Sequence, residues 1–143
     1  MPGIDECLQE AMSLPGARGA ALVDWTSGLA LGTAGASPAG DHETSAAETA
    51  ELARAAAEFD TFTAPDTLAP AAASGPPGTP GAPADPPVED LIVTTRAGYH
   101  VLRFVETSFD SSVLLHLWLD RDTGNLALAR LRLRDLAERL VLG

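Results

Sequence analysis

The side chains able to do chemistry are few and scattered. Three histidines, His42, His100 and His116, stand 58 and 16 positions apart. That is not the i, i+3 or i, i+4 spacing with which one element presents two metal ligands. His116 sits inside the apolar run Val113–Leu119, where a core histidine satisfied by a hydrogen bond is the expected state. Asp120-Arg-Asp-Thr-Gly-Asn125 opens like a calcium loop. Its glycine comes one place early, however, and the twelfth position is Leu131 where a bidentate glutamate is required. The segment reads instead as a turn into a helix cap. Gly16-Ala-Arg-Gly19 lacks the Lys-Ser/Thr that completes a phosphate-cradling loop, and Ser27-Gly28 lacks the rest of a nucleophile elbow. Cys7 is the single cysteine, which excludes an internal disulfide and a cysteine-based zinc site. The expected catalytic residues, metal ligands and cofactors are therefore none.

Charge narrows the partners. Nine arginines and no lysine oppose 20 acids, for a formal charge of −11. A field of that sign repels nucleic-acid backbones and anionic lipid surfaces. Four arginines (Arg130, Arg132, Arg134 and Arg139) gather near the C-terminus, and solvated ion pairs account for them. There is no signal segment and no apolar stretch of 18 residues, so the expected location is the cytoplasm, with no membrane partner.

The elements that would position an interaction surface are legible in order. Residues 3–14 form an amphipathic helix on Ile4, Leu8 and Met12, widened by Cys7, Ala11 and Leu14 and stopped at Pro15-Gly16. Two strands, Gly19–Trp25 and Gly28–Ala34, turn through Thr26-Ser27, with Gly28 free to take a positive φ. A second helix is expected to start with a capping box made by Ser45 and Glu48. Its Ala46, Ala50, Ala53 and Ala57, with Leu52, Ala56 and Phe59, cover about half the helical wheel, while Glu48, Glu51 and Glu58 fall opposite. Residues 63–87 hold eight prolines and a single large apolar residue, Leu68. That composition predicts a disordered inserted loop within a single domain. Replacing residues 66–85 by a short Gly-Ser linker should then lower the melting temperature by less than about 5 °C.

Three strands follow, Val88–Thr95, Tyr99–Glu106 and Ser112–Asp120. The third is apolar on both faces, as a central strand is when covered on both sides. The last helix, Asn125–Leu142, carries a stripe of Leu126, Ala129, Leu133, Leu136, Ala137 and Leu140, with Asp135–Arg139 and Arg134–Glu138 as i, i+4 pairs. Leu128 and Leu131 point away from that stripe, so either the helix starts later or these leucines meet another surface. The strand from Val88, with Leu91 and Val93 alternating, is an open edge that invites pairing with a second copy. The small side chains of Ala46, Ala50, Ala53 and Ala57 would let two helices approach closely.

The order α-ββ-α-βββ-α fits an α/β (α+β) domain with a sheet between helices, including profilin-like and PAS-like sensors. Two segments are more particular. Leu14-Pro-Gly-Ala-Arg-Gly-Ala-Ala-Leu-Val-Asp24 resembles the PGV-x-GA-x-LV-D segment of the roadblock (dynein light chain) family. Leu117-Trp-Leu-Asp-Arg-Asp-Thr-Gly-Asn-Leu-Ala-Leu-Ala-Arg130 is similar to that family's last strand and helix start. The resemblance implies a five-stranded antiparallel sheet, helices on both faces and the last strand in the centre. It also implies homodimers made by pairing third strands and second helices, and a role beside a small Ras-like GTPase without a catalytic arginine. Glu48, Glu51 and Glu58 are then the expected partner-binding residues. A ligand-binding sensor, which would need a chamber beside His116, and a structural subunit of a larger complex are the other readings.

Overall fold

The structure, a computed structural model, describes residues 3–63, 88–105 and 112–142. Most of the inserted segment 63–87 and Glu106 lie outside the described residues. Helix α1 (Ile4–Met12) leads into β1 (Ala17–Asp24) and β2 (Leu29–Gly35). Helix α2 (His42–Glu58) and the single turn α3 (Asp60–Thr63) precede β3 (Asp90–Thr94), β4 (Gly98–Val105) and β5 (Val113–Asp120), and α4 (Leu126–Leu142) closes the chain. One five-stranded sheet runs β2-β1-β5-β4-β3, antiparallel throughout. The apolar strand β5 occupies its centre, as its pattern requires. β2 and β3 are the edges.

Both faces of the sheet are covered, and alternation along each strand divides the core in two. Leu115, Leu117 and Leu119 meet α1 and α4, where Cys7, Leu8, Ala11, Leu133 and Leu136 join them in one cluster. Leu114, with Val23, Leu102 and Phe104, meets Ala46, Ala50 and Ala53 of α2 in the other. Cys7 is a packed core thiol, 2% exposed, and burial pushes its pKa up.

Two tight connections fix how the strands enter the sheet. Gly28 has φ +79° and donates its N–H to the Asp24 carbonyl at 2.8 Å. The hairpin therefore spans Trp25–Gly28, two residues more than Thr26-Ser27. Gly16, at φ +77°, lies against the backbone of Gly124, and a Cβ on it would fall 2.5 Å from that glycine's Cα. The Pro-Gly that stops α1 thus also seats the turn that opens α4. In that turn the Asp120 carboxylate accepts from the N–H groups of Asp122 and Thr123. Backbone donors hold the carboxylate that a calcium loop would have offered to a cation.

Three local expectations are corrected, and one open alternative, at the start of α4, is decided. The N-cap of α2 is Asp41, whose carboxylate accepts from the N–H groups of Glu43 and Thr44. Ser45 lies inside the helix, buried, with its hydroxyl 2.7 Å from that of Ser37. Asp41 sits five residues before Ala46, where the apolar period begins, so the S-x-x-E pattern mimicked a start. Leu52 and Phe59 do not join the buried alanines but stand 43% and 56% exposed. In α4, Arg134 pairs with Glu138 at 3.5 Å, whereas Arg139 reaches across to Glu10 of α1, donating from Nη1 and Nη2 to its two carboxylate oxygens. That cross-helix bond replaces the expected Asp135–Arg139 pair. The start of α4 is fully helical, with Asn125 Oδ1 accepting from the Leu128 N–H. Leu128 packs partly on the α1 side of the core, while Leu131 stays 62% exposed.

Candidate functional site

Exposed large apolar side chains mark where a folded surface still has something to cover. Among the described residues they fall on α2 and the turn after it, on both edge strands (Leu29 and Leu31 on β2, 64% and 45% exposed), and singly at Ile4 and Leu131. Leu52 lies on the outer side of α2, and Phe59 and Phe62, 56% and 53% exposed, follow it around the helix end. Ile92 and Val93 lie on β3, 38% and 37% exposed. β3 pairs with β4 on one side only, from Asp90–Arg103 to Thr94–Tyr99. Its other side pairs with no strand among the described residues, the feature that recruits a further strand.

Register sets which way these residues face. Val93 stands opposite His100, and Leu91 opposite Leu102, and Leu102 belongs to the α2 side of the core. Directly paired residues share a face, so Leu91 and Val93 look toward the side of the sheet that carries α2. Leu91 packs partly on that core, and Val93 continues the surface outward. The alanines expected beside them are placed differently. Ala46, Ala50 and Ala53 are 0–2% exposed against the chain's own sheet, and Ala57 packs partly on the same cluster. This face therefore closes the protomer rather than standing free for a second helix. A stripe of small residues looks the same in sequence whether a sheet or another helix lies against it.

The acidic residues are where the wheel put them. Glu48, Glu51 and Glu58 are all exposed. Leu52 follows Glu48 by four residues and lies beside it on the helix surface, while Phe59, the C-cap, lies about three turns further on. The outer face of α2 thus combines carboxylates with uncovered Leu52 and Phe59. Sequence reading missed this mixture because it assigned both apolar residues to the core. The signal was present: at 100° per residue Leu52 and Phe59 fall nearer Glu48 than Ala50.

Beneath α2 the histidines form a layer that no spacing foretold. His100 Nδ1 and His116 Nε2 are 3.0 Å apart across the β4–β5 pairing. Trp118 stacks on His100 at 6.1 Å between ring centroids, and the Arg18 guanidinium covers Trp118 at 4.2 Å. His42, at the start of α2, bonds the Gly35 carbonyl instead. The space beside His116 is about 10 Å³, no more than one water needs, so no ligand-sized chamber lies there among the described residues. Among those residues no group of three His, Cys, Asp or Glu is placed to hold a metal ion.

Burial pushes the His116 pKa down to about 3, with the nearby His100 and His42 acting in the same direction. His100 is lowered as well, by desolvation. The unfolded chain takes up these protons below its ordinary value near 6.5 while the folded chain stays neutral. Stability is therefore complete above about pH 6.5 and falls as pH drops toward 3, by at most about 1.4 kcal/mol per pH unit for each such histidine. The lowered carboxylates, Asp24, Asp41 and Asp120, contribute stability that is lost only below their unfolded value near 4. Between about pH 6.5 and 5 the histidines act alone, and the loss from His116 should reach about 2 kcal/mol. Thermal melts at the two ends of that window check this, with His116→Leu expected to flatten the dependence. A wild-type melting temperature that is the same at both ends contradicts it.

No helix among the described residues is long and apolar enough to cross a membrane. No family profile matches this sequence, and no curated protein matches it. Solved structures do. MglB of Myxococcus xanthus superposes with a TM-score of 0.71 over 96% of this chain and 84% of that one, at 18% identity. An MglB with a tetrameric arrangement gives 0.67 over the same shares at 20% identity. A Roadblock/LC7 domain from Streptomyces avermitilis gives 0.65 over 96% of this chain and 93% of that one, at 14% identity. Identities this low speak for architecture rather than activity. Superposition over nearly the whole chain shows that it has the Roadblock/LC7 fold.

Proposed function

We propose that the chain is a non-enzymatic, cytoplasmic member of the roadblock family that pairs with a second copy of itself and serves as scaffold or regulator of a small Ras-like GTPase. Residues 63–87 are, on this reading, an insertion into one domain. The observation that carries self-pairing is the coincidence of an unpaired edge strand with uncovered apolar side chains, Ile92 and Val93, at that edge. Leu52 on α2 and Phe59 at its C-cap are also exposed, on the side of the sheet toward which Val93 faces. Support for self-association also comes from the tetrameric arrangement of one structural neighbour. The GTPase rests on the resemblance of Leu14–Asp24 and Leu117–Arg130 to the roadblock family. The absence of a ligand-sized chamber beside His116 disfavours the sensor reading.

Glu48, Glu51 and Glu58 are the residues assigned to the partner. Their field would steer a basic patch toward α2, an effect felt mainly in the association rate and screened by salt. Affinity capture from the native cell supplies the partner. The triple change of these glutamates to Lys should then slow association at low salt by about tenfold or more. All three are exposed, so the melting temperature should hardly move. Unchanged association at low salt would remove this face as the binding site. A captured partner without a nucleotide-binding domain would remove the GTPase.

A further inference from the structure

We propose that the outer edge of β2 docks an extended, apolar segment of a protein partner that carries arginine or lysine at its ends. β2 pairs with β1 alone among the described residues, so its other side is an edge. Along that edge runs an open groove of about 550 Å³, lined by Gly28–Thr33 and, from the first turn of α2, by His42 and Glu43. The strand reads Leu-Ala-Leu-Gly-Thr-Ala-Gly. It contains neither charge nor proline, two devices that ordinarily close an edge to strand addition. Its one irregularity is a bulge: Leu22 stands opposite Gly32 and Val23 opposite Ala30, so Leu31 has no partner on β1. A bulge shortens the run that an added strand can follow and re-aims a side chain. It leaves Leu31, with Leu29, as an exposed apolar contact for a short segment.

Charge selects the occupant. The first turn of α1 lies against β2 from one face, where a Cβ on Gly32 would come 2.5 Å from Ile4 Cγ2. The first turn of α2 stands at the groove itself. Together these helix starts bring Asp5, Glu6, Asp41 and Glu43, all exposed, and no arginine. None of the four pairs with an arginine among the described residues. Four formal charges outweigh the roughly +0.5 charge that each helix N-terminus contributes. The resulting field attracts a cationic segment and repels an acidic one. A second copy of β2 would bring its own four carboxylates against these, and the bulge would cut its pairing short. A foreign strand with basic ends meets neither obstacle to the same degree. The inference requires neither self-pairing nor a GTPase, since β3 lies at the opposite edge of the sheet.

The test follows the backbone amide resonances of β2 in the whole chain by ¹⁵N-resolved NMR at low salt. The probes are N-acetyl-Arg-Val-Thr-Val-Arg-amide, its counterpart with Glu at both ends, and the Arg peptide N-methylated at its three central residues. The Arg peptide should shift the amides of Leu29–Thr33 saturably within about 5 mM. The Glu peptide should bind at least about tenfold more weakly. The N-methylated peptide, which has lost the donors an added strand needs, should bind at least about fivefold more weakly. Glu43→Lys and, separately, Leu29→Ser should each weaken the Arg peptide by about fivefold or more; both side chains are exposed, so the fold should survive either change. No saturable shift on β2, or equal binding of the Arg and Glu peptides, overturns the proposal. Undiminished binding of the N-methylated peptide overturns it as well. Movement of the same amides when the chain alone is concentrated assigns the edge to a second copy, which also overturns it.

Discussion

Leu117→Asp should leave no folded protein. Leu117 lies at the middle of the central strand, paired with Ala20 on one side and Val101 on the other, and is fully buried. Its neighbours in the α1–α4 cluster are almost entirely aliphatic, so an aspartate there finds no cation and no donor. An uncompensated buried carboxylate costs several kcal/mol even after its pKa rises to neutralise it, and the lost leucine packing adds about 2–5 kcal/mol. Domains of this size have only about 5–15 kcal/mol in total. Loss of cooperative thermal unfolding, with insolubility on expression, is the expected outcome. A soluble variant with a sharp melt would mean that β5 does not sit between two covered faces.

Placing lysine at both Ile92 and Val93 should have the second largest effect, on assembly rather than folding. Both side chains are more than one-third exposed and lie on the strand whose outer side is unpaired, so the isolated protomer loses little by the change. Exposed substitutions of this kind move stability by about 0.5 kcal/mol. Across a β3–β3 pairing, two ammonium groups would stand on each face of the joined sheet where apolar contacts are expected. Lysine on an edge strand is a known block to strand addition. The pairing constant should weaken by about a hundredfold or more. The chain should run at the mass of one copy, with its far-ultraviolet circular dichroism unchanged. Apparent thermal stability will also fall by mass action as the dimer dissociates, so secondary structure at low temperature is the proper control. A doubly substituted chain that still sediments as a dimer would move the interface away from β3.

Legibility in the sequence followed the physics of each feature. Elements with one apolar face and one polar face were readable nearly to the residue. The stripe of α1, the two-sided apolar run of β5 and the Pro-Gly stop at Gly16 each fix a local conformation by burial or by backbone sterics. The cap of α2 was misread because Asp41 and Ser45 are both good capping residues and periodicity does not say which turn comes first. Features that depend on two distant segments were silent. The His100–His116 bond needs the β4–β5 register, and the Glu10–Arg139 bond needs α1 beside α4. The destination of the alanine stripe was silent for the same reason. Small side chains permit close approach without naming the neighbour, and here that neighbour is the chain's own sheet.

In the function proposed for it, this fold works as a self-paired surface. The mass of the wild-type chain by light scattering coupled to size exclusion, at tens of micromolar, tests it most directly. Twice the chain mass of 14.7 kDa, or a higher even multiple, is the predicted result. A mass of 14.7 kDa held across that range would contradict the account.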